Sequence, residues 1–129
     1  MNTTLIAQVL AGIIAVLFLL FGARYYFAPA GILPSAGFDL DGVNVGGLST
    51  ARAMVGAALL TFGILIVVHS VVNGADGAMR FAVMFLGLSL IGRIISMVVD
   101  GQNEGTVRNL IPVSLMLIVS IGSVVLFNM

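Results

Sequence analysis

Three polar residues share one helical face near the end of the third apolar stretch of the chain. In the segment GRIISMVVDG, Arg93, Ser96 and Asp100 are spaced so that a helix presents all three on the same side. Arg93 precedes Asp100 by about 10 Å of helix rise. An arginine at the bilayer centre costs at least ~2.5 kcal/mol unless it pairs or reaches water. The spacing therefore indicates an ion that is either well paired or available to bind a ligand.

Further charges lie at the ends of the neighbouring apolar stretches. If these stretches cross a membrane back and forth, the charges fall in the same layer as Arg93 and Asp100; they are Arg24, Arg52, Arg108, Asp39, Asp41 and Glu104. Four cations and four anions can pair completely, and the network would then only hold the first loop against the helix ends. Alternatively, they form a polar pocket at one membrane face for a phosphate, a carboxylate or a quinone oxygen. The binding residues of that pocket are Arg24, Arg52, Arg93, Ser96, Asp100 and Glu104, centred on Arg52, Arg93 and Asp100.

The apolar stretches that position these residues are long enough to span a membrane. Of the 129 residues, 60% are hydrophobic and 8% are charged, against roughly 25% charged in soluble domains. About 20 apolar residues cross a hydrocarbon layer roughly 30 Å thick. We therefore predict an all-α, polytopic integral membrane protein that forms one four-transmembrane-helix bundle over residues 1–129. Its helices are predicted at about 4–23, 48–72, 78–99 and 107–127.

The ends and connections of the predicted helices indicate how the bundle sits in a membrane. Arg24, Tyr25 and Tyr26 are typical of a helix end at the lipid–water boundary. Residues 27–47 form a long Gly/Pro-rich loop, and long loops in small folds are often functional. The first stretch lacks the positive residues that begin a signal peptide, so we interpret it as a spanning helix. Because four of five arginines lie near the first and third loops, we predict that both termini are periplasmic.

Small residues predict which helix faces point into the bundle. Without a hydrophobic force between helices in lipid, interfaces use small residues and inter-helix hydrogen bonds. Arg52 shares the glycine face of the second stretch, so we expect its guanidinium to point into the bundle. The packing positions predicted in this way are Gly12, Gly22, Gly56, Gly63 and Gly92.

The composition argues against several classes of function. The net charge is zero, which disfavours nucleic acid as a partner. There is no cysteine and His69 is the only histidine, so we expect no metal site. No Ser/His/Asp order, HExxH motif or phosphate-binding loop is present. We therefore expect no catalytic residue and no cofactor beyond a bound lipid or quinone.

Two segments carry a resemblance to a known kind of protein. FLLFGARYYFAPAG and GRIISMVVDG resemble segments of small bacterial four-helix membrane proteins, a domain-of-unknown-function family related in plan to DoxX-like proteins. The matching positions are Arg24, Phe27, Pro29, Gly92, Arg93, Ser96, Asp100 and Gly101. The resemblance implies a bacterial inner-membrane location and a role like that of DoxX-like relatives, which are small membrane subunits linked to quinone-coupled redox complexes. It supplies no catalytic residue.

Together these patterns predict a small non-catalytic accessory or binding subunit. Its Arg/Asp pocket would take a partner, a quinone-like molecule or an anionic lipid. One alternative is a homo-oligomeric transporter or channel for ions or small molecules, since four helices are too few to enclose a pore. A second alternative is a lipid-modifying enzyme that uses Asp100 or Glu104 as acid or base. The expected partners are the lipid bilayer and, through the glycine faces, other membrane subunits or further copies of the chain.

Overall fold

The computed structural model of the chain describes residues 3–36, 40–42, 48–49, 51–72, 75–99, 101 and 104–129. Over these residues the protein is helical and contains no strand. The helices are α1 (Thr3–Phe27), α2 (Pro29–Ile32), α3 (Ala57–Val72), α4 (Asp76–Val99) and α5 (Glu104–Phe127). Short 3-10 turns cover Leu33–Ala36 and Leu40–Gly42, and a π-helical turn, Ala51–Gly56, leads directly into α3.

Four of the helical segments are long and apolar enough to cross a membrane. They are Thr3–Phe27, Ala51–Ser70, Asp76–Val99 and Leu110–Phe127. The predicted all-α, four-helix membrane fold is thereby confirmed, and the chain is a multi-pass membrane protein. Successive segments run in alternating directions, so α1 and α4 end on the side where α5 begins.

The helix bounds differ from the sequence prediction mainly in the first connection. α1 continues to Phe27 and stops before Pro29, because the residue before a proline is disfavoured in helical geometry. Pro29 then occupies the first position of α2, where a backbone N–H would have no partner within the helix and its absence costs no hydrogen bond. The predicted long loop 27–47 therefore begins with ordered helical turns. In α5, Pro112 lies inside the helix and not in its first turn, because α5 already begins at Glu104.

α1 packs closely against both α3 and α5. Its buried face combines alanines with two large residues, since Ala7, Ala11, Ile14, Ala15 and Phe18 are all almost fully buried. The ring of Phe18 meets two other rings, with centroids 5.7 Å from Phe62 on α3 and 6.1 Å from Phe85 on α4. These three aromatic side chains join α1, α3 and α4 at mid-bundle.

Three glycines permit the close approach of α1 and α3. A Cβ atom at Gly22 would lie 2.7 Å from the backbone nitrogen of Leu60, and one at Gly56 would lie 2.7 Å from the backbone nitrogen of Tyr26. A Cβ at Gly63 would lie 2.6 Å from a side-chain atom of Leu19. The two helices are therefore closely packed around these three glycines.

The other two predicted packing glycines are placed differently. Gly12 and Gly92 are exposed, and a Cβ atom at either would meet nothing within 4 Å. Neither glycine therefore lies at a close helix contact among the described residues. For Gly12 the reason is that α1 turns its alanines, and not the face of Gln8 and Gly12, toward its neighbours.

Candidate ligand-binding cavity

A cavity of about 180 Å³ lies inside the half of the bundle where α1 and α4 end. All four spanning segments and α2 contribute to its wall. Its apolar lining includes three phenylalanines, and its polar lining comes from α1 and α4. The lining residues are Phe18, Phe21, Tyr25, Ile32, Val55, Leu59, Phe85, Leu86, Ser89, Arg93, Pro112, Val113 and Met116.

Arg93 supplies the cation of this cavity. Its side chain is half-buried, and its Nε atom is fully buried. Within the described part of the chain, no acceptor lies within hydrogen-bond distance of this Nε. A buried donor left unmatched costs about 1–3 kcal/mol, and more when it is charged. Arg93 Nε is therefore available to donate a hydrogen bond to an oxygen atom of a ligand in the cavity.

Two hydroxyl groups accompany Arg93 along the cavity wall. Ser89 lies one helical turn before Arg93 on α4 and is half-buried. Tyr25 reaches the cavity from the last turns of α1 and is half-buried. A guanidinium and two hydroxyl groups from two different helices thus line one apolar space. This arrangement suits an oxygen-bearing group attached to an apolar body.

The arginines predicted to join Arg93 in a binding pocket lie outside the cavity. Arg24 is exposed at the end of α1. Arg52 is also exposed, and its Nε donates a hydrogen bond to the backbone carbonyl of Tyr26. The prediction that Arg52 points into the bundle is therefore wrong, because its guanidinium instead fastens the π-helical turn to the end of α1. This hydrogen bond of Arg52 is structural, whereas a contact with a ligand was predicted.

The polar residues predicted to surround Arg93 are only partly described. Ser96 is half-buried and has an interaction partner of its own. Asp41 is exposed and also has a partner. Glu104 is the first residue of α5, and its side chain lies outside the described part, as do Asp39 and Asp100. The structure thus assigns Arg93 to the cavity and leaves the predicted carboxylate layer a prediction.

Among the described residues, the polar cluster with the most side-chain hydrogen bonds lies at the opposite end of the bundle. Arg80 donates from Nε to both carboxylate oxygens of Asp76, at 3.3 and 3.4 Å, and from Nη2 to Asn128 Oδ1 at 3.0 Å. Asn128 Nδ2 donates to Asp76 Oδ1 at 3.2 Å. The three residues, here called the end cluster, close α4 onto the end of α5. Sequence reasoning missed it because Asn128 is far from Arg80 along the chain.

Tyr25 and Ser89 were not identified as cavity residues from the sequence. Tyr25 was expected to be a boundary aromatic residue, and the available signal was its place beside Arg24 at a helix end. Ser89 precedes Arg93 by four residues, which places both on one face of any α-helix. Val55 and Pro112 line the cavity because of the π-helical turn and the early start of α5. The sequence does not indicate either of these two structural features.

The chemistry available at the cavity is recognition by hydrogen bonds and by apolar contact. Among the residues that the structure describes, no group of three or more His, Asp or Glu side chains is placed to hold a metal ion. His69, near the end of α3, is half-buried on the side of the end cluster. The cavity itself combines one cation, two hydroxyl donors and aromatic walls.

Comparison with known proteins places the chain in a family. The family model described as "Domain of unknown function (DUF4345)" matches residues 6–122, which is most of the chain. No curated protein and no solved structure gave a match. The matched range contains all of the cavity-lining residues and both segments that carried the resemblance to small bacterial four-helix membrane proteins. The chain therefore belongs to the DUF4345 family.

Proposed function

We propose that the protein is a non-catalytic membrane protein that binds an amphiphilic ligand in the cavity, with Arg93 holding the polar end of that ligand. The observation that carries the proposal is the buried Arg93 Nε, which has no acceptor within the described part of the chain. A charged donor in a membrane is stabilised only by a partner or by water. A ligand oxygen seated in the cavity would supply that partner.

The proposed ligand is a quinone-like molecule or an anionic lipid. Either offers an oxygen to Arg93, with Ser89 and Tyr25 beside it, and an apolar body to the aromatic walls. Charge-assisted hydrogen bonds are roughly twice as strong as neutral ones, so Arg93 is the dominant polar contact. A protein of this size that binds such a molecule would act as an accessory or binding subunit beside a larger membrane partner.

The aromatic composition of the chain makes the proposal easy to test. There is no tryptophan, and the two tyrosines are Tyr25 and Tyr26. The Tyr26→Phe variant therefore leaves Tyr25, at the cavity wall, as the only strong intrinsic fluorophore. In detergent, we expect a short-chain benzoquinone or phosphatidylglycerol to change this fluorescence saturably. In the Tyr26→Phe/Arg93→Met double variant, we expect the apparent dissociation constant from this titration to rise at least tenfold.

A matched control separates loss of the site from loss of a charge. Arg80→Met removes an arginine from the opposite end of the bundle, in the end cluster, and should leave the fluorescence titration unchanged. Equal binding in the Arg93→Met and Arg80→Met proteins would reduce Arg93 to part of the scaffold. Substrate flux into liposomes, or turnover of a lipid headgroup by the purified protein, would favour the transporter or the enzyme alternative instead.

We further propose that the protein lies in the bacterial inner membrane with both termini periplasmic. The relation in plan to DoxX-like proteins belongs to the same proposal. Because the chain has no cysteine, a single introduced cysteine is a unique label. A membrane-impermeant maleimide applied to spheroplasts should label Met129→Cys and should label Gly42→Cys only after permeabilisation. The reverse pattern would invert the orientation.

A further inference from the structure

Resting on the proposed function, we propose that the cavity is specific for a single-ring aromatic carboxylate. The ring would fill the apolar space and the carboxylate would accept from Arg93. Such a group occurs either in a free aromatic acid or as the head of a single-chain amphiphile, and both present the same chemistry to the cavity.

The size of the cavity favours one ring. Its volume is about 180 Å³, and an apolar protein cavity of roughly 150 Å³ binds benzene. The remaining space suits a small substituent and not a glycerophosphate with two acyl chains. Arg93 also lies six residues before Val99 at the end of α4, which is about 9 Å below that helix end. A phospholipid phosphate would have to leave the headgroup layer to reach it.

The walls favour an aromatic ring over a flexible chain. Phe18, Phe21, Tyr25 and Phe85 all line the cavity. Phe18 and Phe85 already meet edge to face with ring centroids 6.1 Å apart. Pairs of aromatic rings gain about 0.5–1.5 kcal/mol beyond the apolar area that they bury. An acyl chain would gain only the area and would lose its rotational freedom on entering.

The charge of the lining favours an anion over a neutral quinone ring. Arg93 is the charged residue of the lining, and its Nε lacks an acceptor among the described residues. No described lining residue is a carboxylate, so the cation is not neutralised from within the cavity wall. A planar carboxylate matches the fork of guanidinium donors, whereas a quinone carbonyl offers one uncharged oxygen.

The cavity has an opening, which allows a free aromatic acid and the head of a single-chain amphiphile to be distinguished. Val55 and Pro112 line the cavity and are also exposed, so the cavity reaches the bundle surface beside them. An alkyl chain on the ring carbon opposite the carboxylate could leave through this opening into lipid. The head of an amphiphile would therefore bind with its tail outside, and a free acid would bind without one.

The test uses 4-fluorobenzoate as the probe, followed by fluorine NMR in nanodiscs of neutral lipid. We expect a shifted, broadened resonance from the whole protein that unlabelled benzoate displaces. Benzamide, the uncharged analogue, and cyclohexanecarboxylate, which lacks the aromatic ring, should compete at least tenfold more weakly. Phosphatidylglycerol should also compete at least tenfold more weakly than benzoate. Tighter binding of 4-octylbenzoate than of benzoate would identify an amphiphile head, and equal binding would identify a free acid.

Three variants complete the test. Arg93→Gln should weaken binding of 4-fluorobenzoate at least tenfold, while Arg80→Gln, at the other end of the bundle, should leave it unchanged. Val55→Trp enlarges an exposed side chain at the opening and should block binding without touching the core. This variant keeps the test valid if Arg93→Gln does not fold.

Failure of the proposed specificity can be distinguished from failure of the proposed binding function. If benzamide binds as well as benzoate, or if benzoate binding survives Arg93→Gln, the proposed specificity is overturned. If a short-chain quinone or phosphatidylglycerol binds in an Arg93-dependent manner and benzoate does not, the specificity is wrong and the proposed binding function stands. If no probe depends on Arg93, both are wrong.

Discussion

The arginines at the two ends of the bundle differ in how far their hydrogen bonds are satisfied. At one end, Arg80 has an exposed side chain and still bonds to both Asp76 and Asn128. At the other end, Arg93 is half-buried, yet its Nε has no acceptor in the described part of the chain. From exposure alone, the more buried Arg93 would be expected to have the more complete set of hydrogen bonds. The comparison teaches that hydrogen-bond satisfaction, and not depth, separates a structural ion from a candidate binding group.

The α1–α3 wall that faces Arg93 across the cavity is closely packed. Gly56 touches the backbone of Tyr26, beside the cavity residue Tyr25, and Gly22 touches the backbone of Leu60. Because neither contact involves a flexible side chain, α1 and α3 cannot shift to bring an acceptor to Arg93 without separating. The part of the cavity wall that α1 and α3 supply is therefore held by close backbone packing.

The largest expected effect is at these glycines. Gly22→Ala and Gly56→Ala each place a Cβ atom 2.7 Å from a backbone nitrogen of the facing helix. We expect each to lower the free energy of unfolding by about 2–3 kcal/mol, since overpacking against an immobile neighbour is costly. Thermal unfolding in detergent micelles, followed by circular dichroism, measures the change.

Gly12→Ala is the matched control, because nothing lies within 4 Å of the added methyl group. It should leave stability unchanged or raise it slightly through better helix propensity. If Gly12→Ala proves as destabilising as Gly56→Ala, then α1 uses its outer face for a contact with another copy or subunit.

The fold was predictable because its signals are local. Long uncharged runs predict spanning helices, and Pro29 marks where α1 must stop. The positions of Gly22, Gly56 and Gly63 at the contact between α1 and α3 also agree with their shared small-residue faces. These features need only chain length, hydropathy and helical spacing.

The site was predictable only in part, because its other members depend on tertiary geometry. Arg93 stood out as a charge inside an apolar run. Arg52 was misplaced because a 3.6-residue period was applied across Ala51–Gly56, which is π-helical and changes the angular position of every side chain in it. The absence of a described acceptor for Arg93 depends on where facing helices fall, and spacing along one helix does not report this.

A second prediction sharpens the comparison by removing the unmatched charge. Arg93→Met keeps most of the side-chain volume and deletes a cation whose Nε is buried without an acceptor. In the absence of added ligand, we expect the free energy of unfolding to rise by about 1–2 kcal/mol, as buried ions are often less stabilising than apolar replacements. Titration with a denaturing detergent measures it. A clear loss of stability would show that Arg93 is structurally paired and would end the contrast between the two ends.

A third prediction concerns two buried serines on α5. Ser123 donates to the carbonyl of Ala7 at 2.8 Å and joins α5 to α1, whereas the buried Ser120 hydroxyl has no hydrogen-bond partner within the described residues. Ser123→Ala should cost about 1 kcal/mol through the lost inter-helix bond. Ser120→Ala should be neutral or slightly stabilising. Thermal unfolding of the two variants side by side measures the difference, and equal losses would mean that Ser120 has a partner such as a bound water.

The smallest effect is expected in the end cluster, although its three side chains share four hydrogen bonds. The side chains of Arg80 and Asp76 are 57% and 38% exposed, and exposed ion pairs contribute about 0.2–1 kcal/mol. A double-mutant cycle of Arg80→Ala and Asn128→Ala should therefore give a coupling of about 0.5 kcal/mol, because water replaces each lost bond. Salt should reduce the contribution of the Arg80–Asp76 pair. A coupling well above 1 kcal/mol would show that this end lies deeper in the low-dielectric layer than its exposure indicates, and that its satisfied charges hold the bundle together.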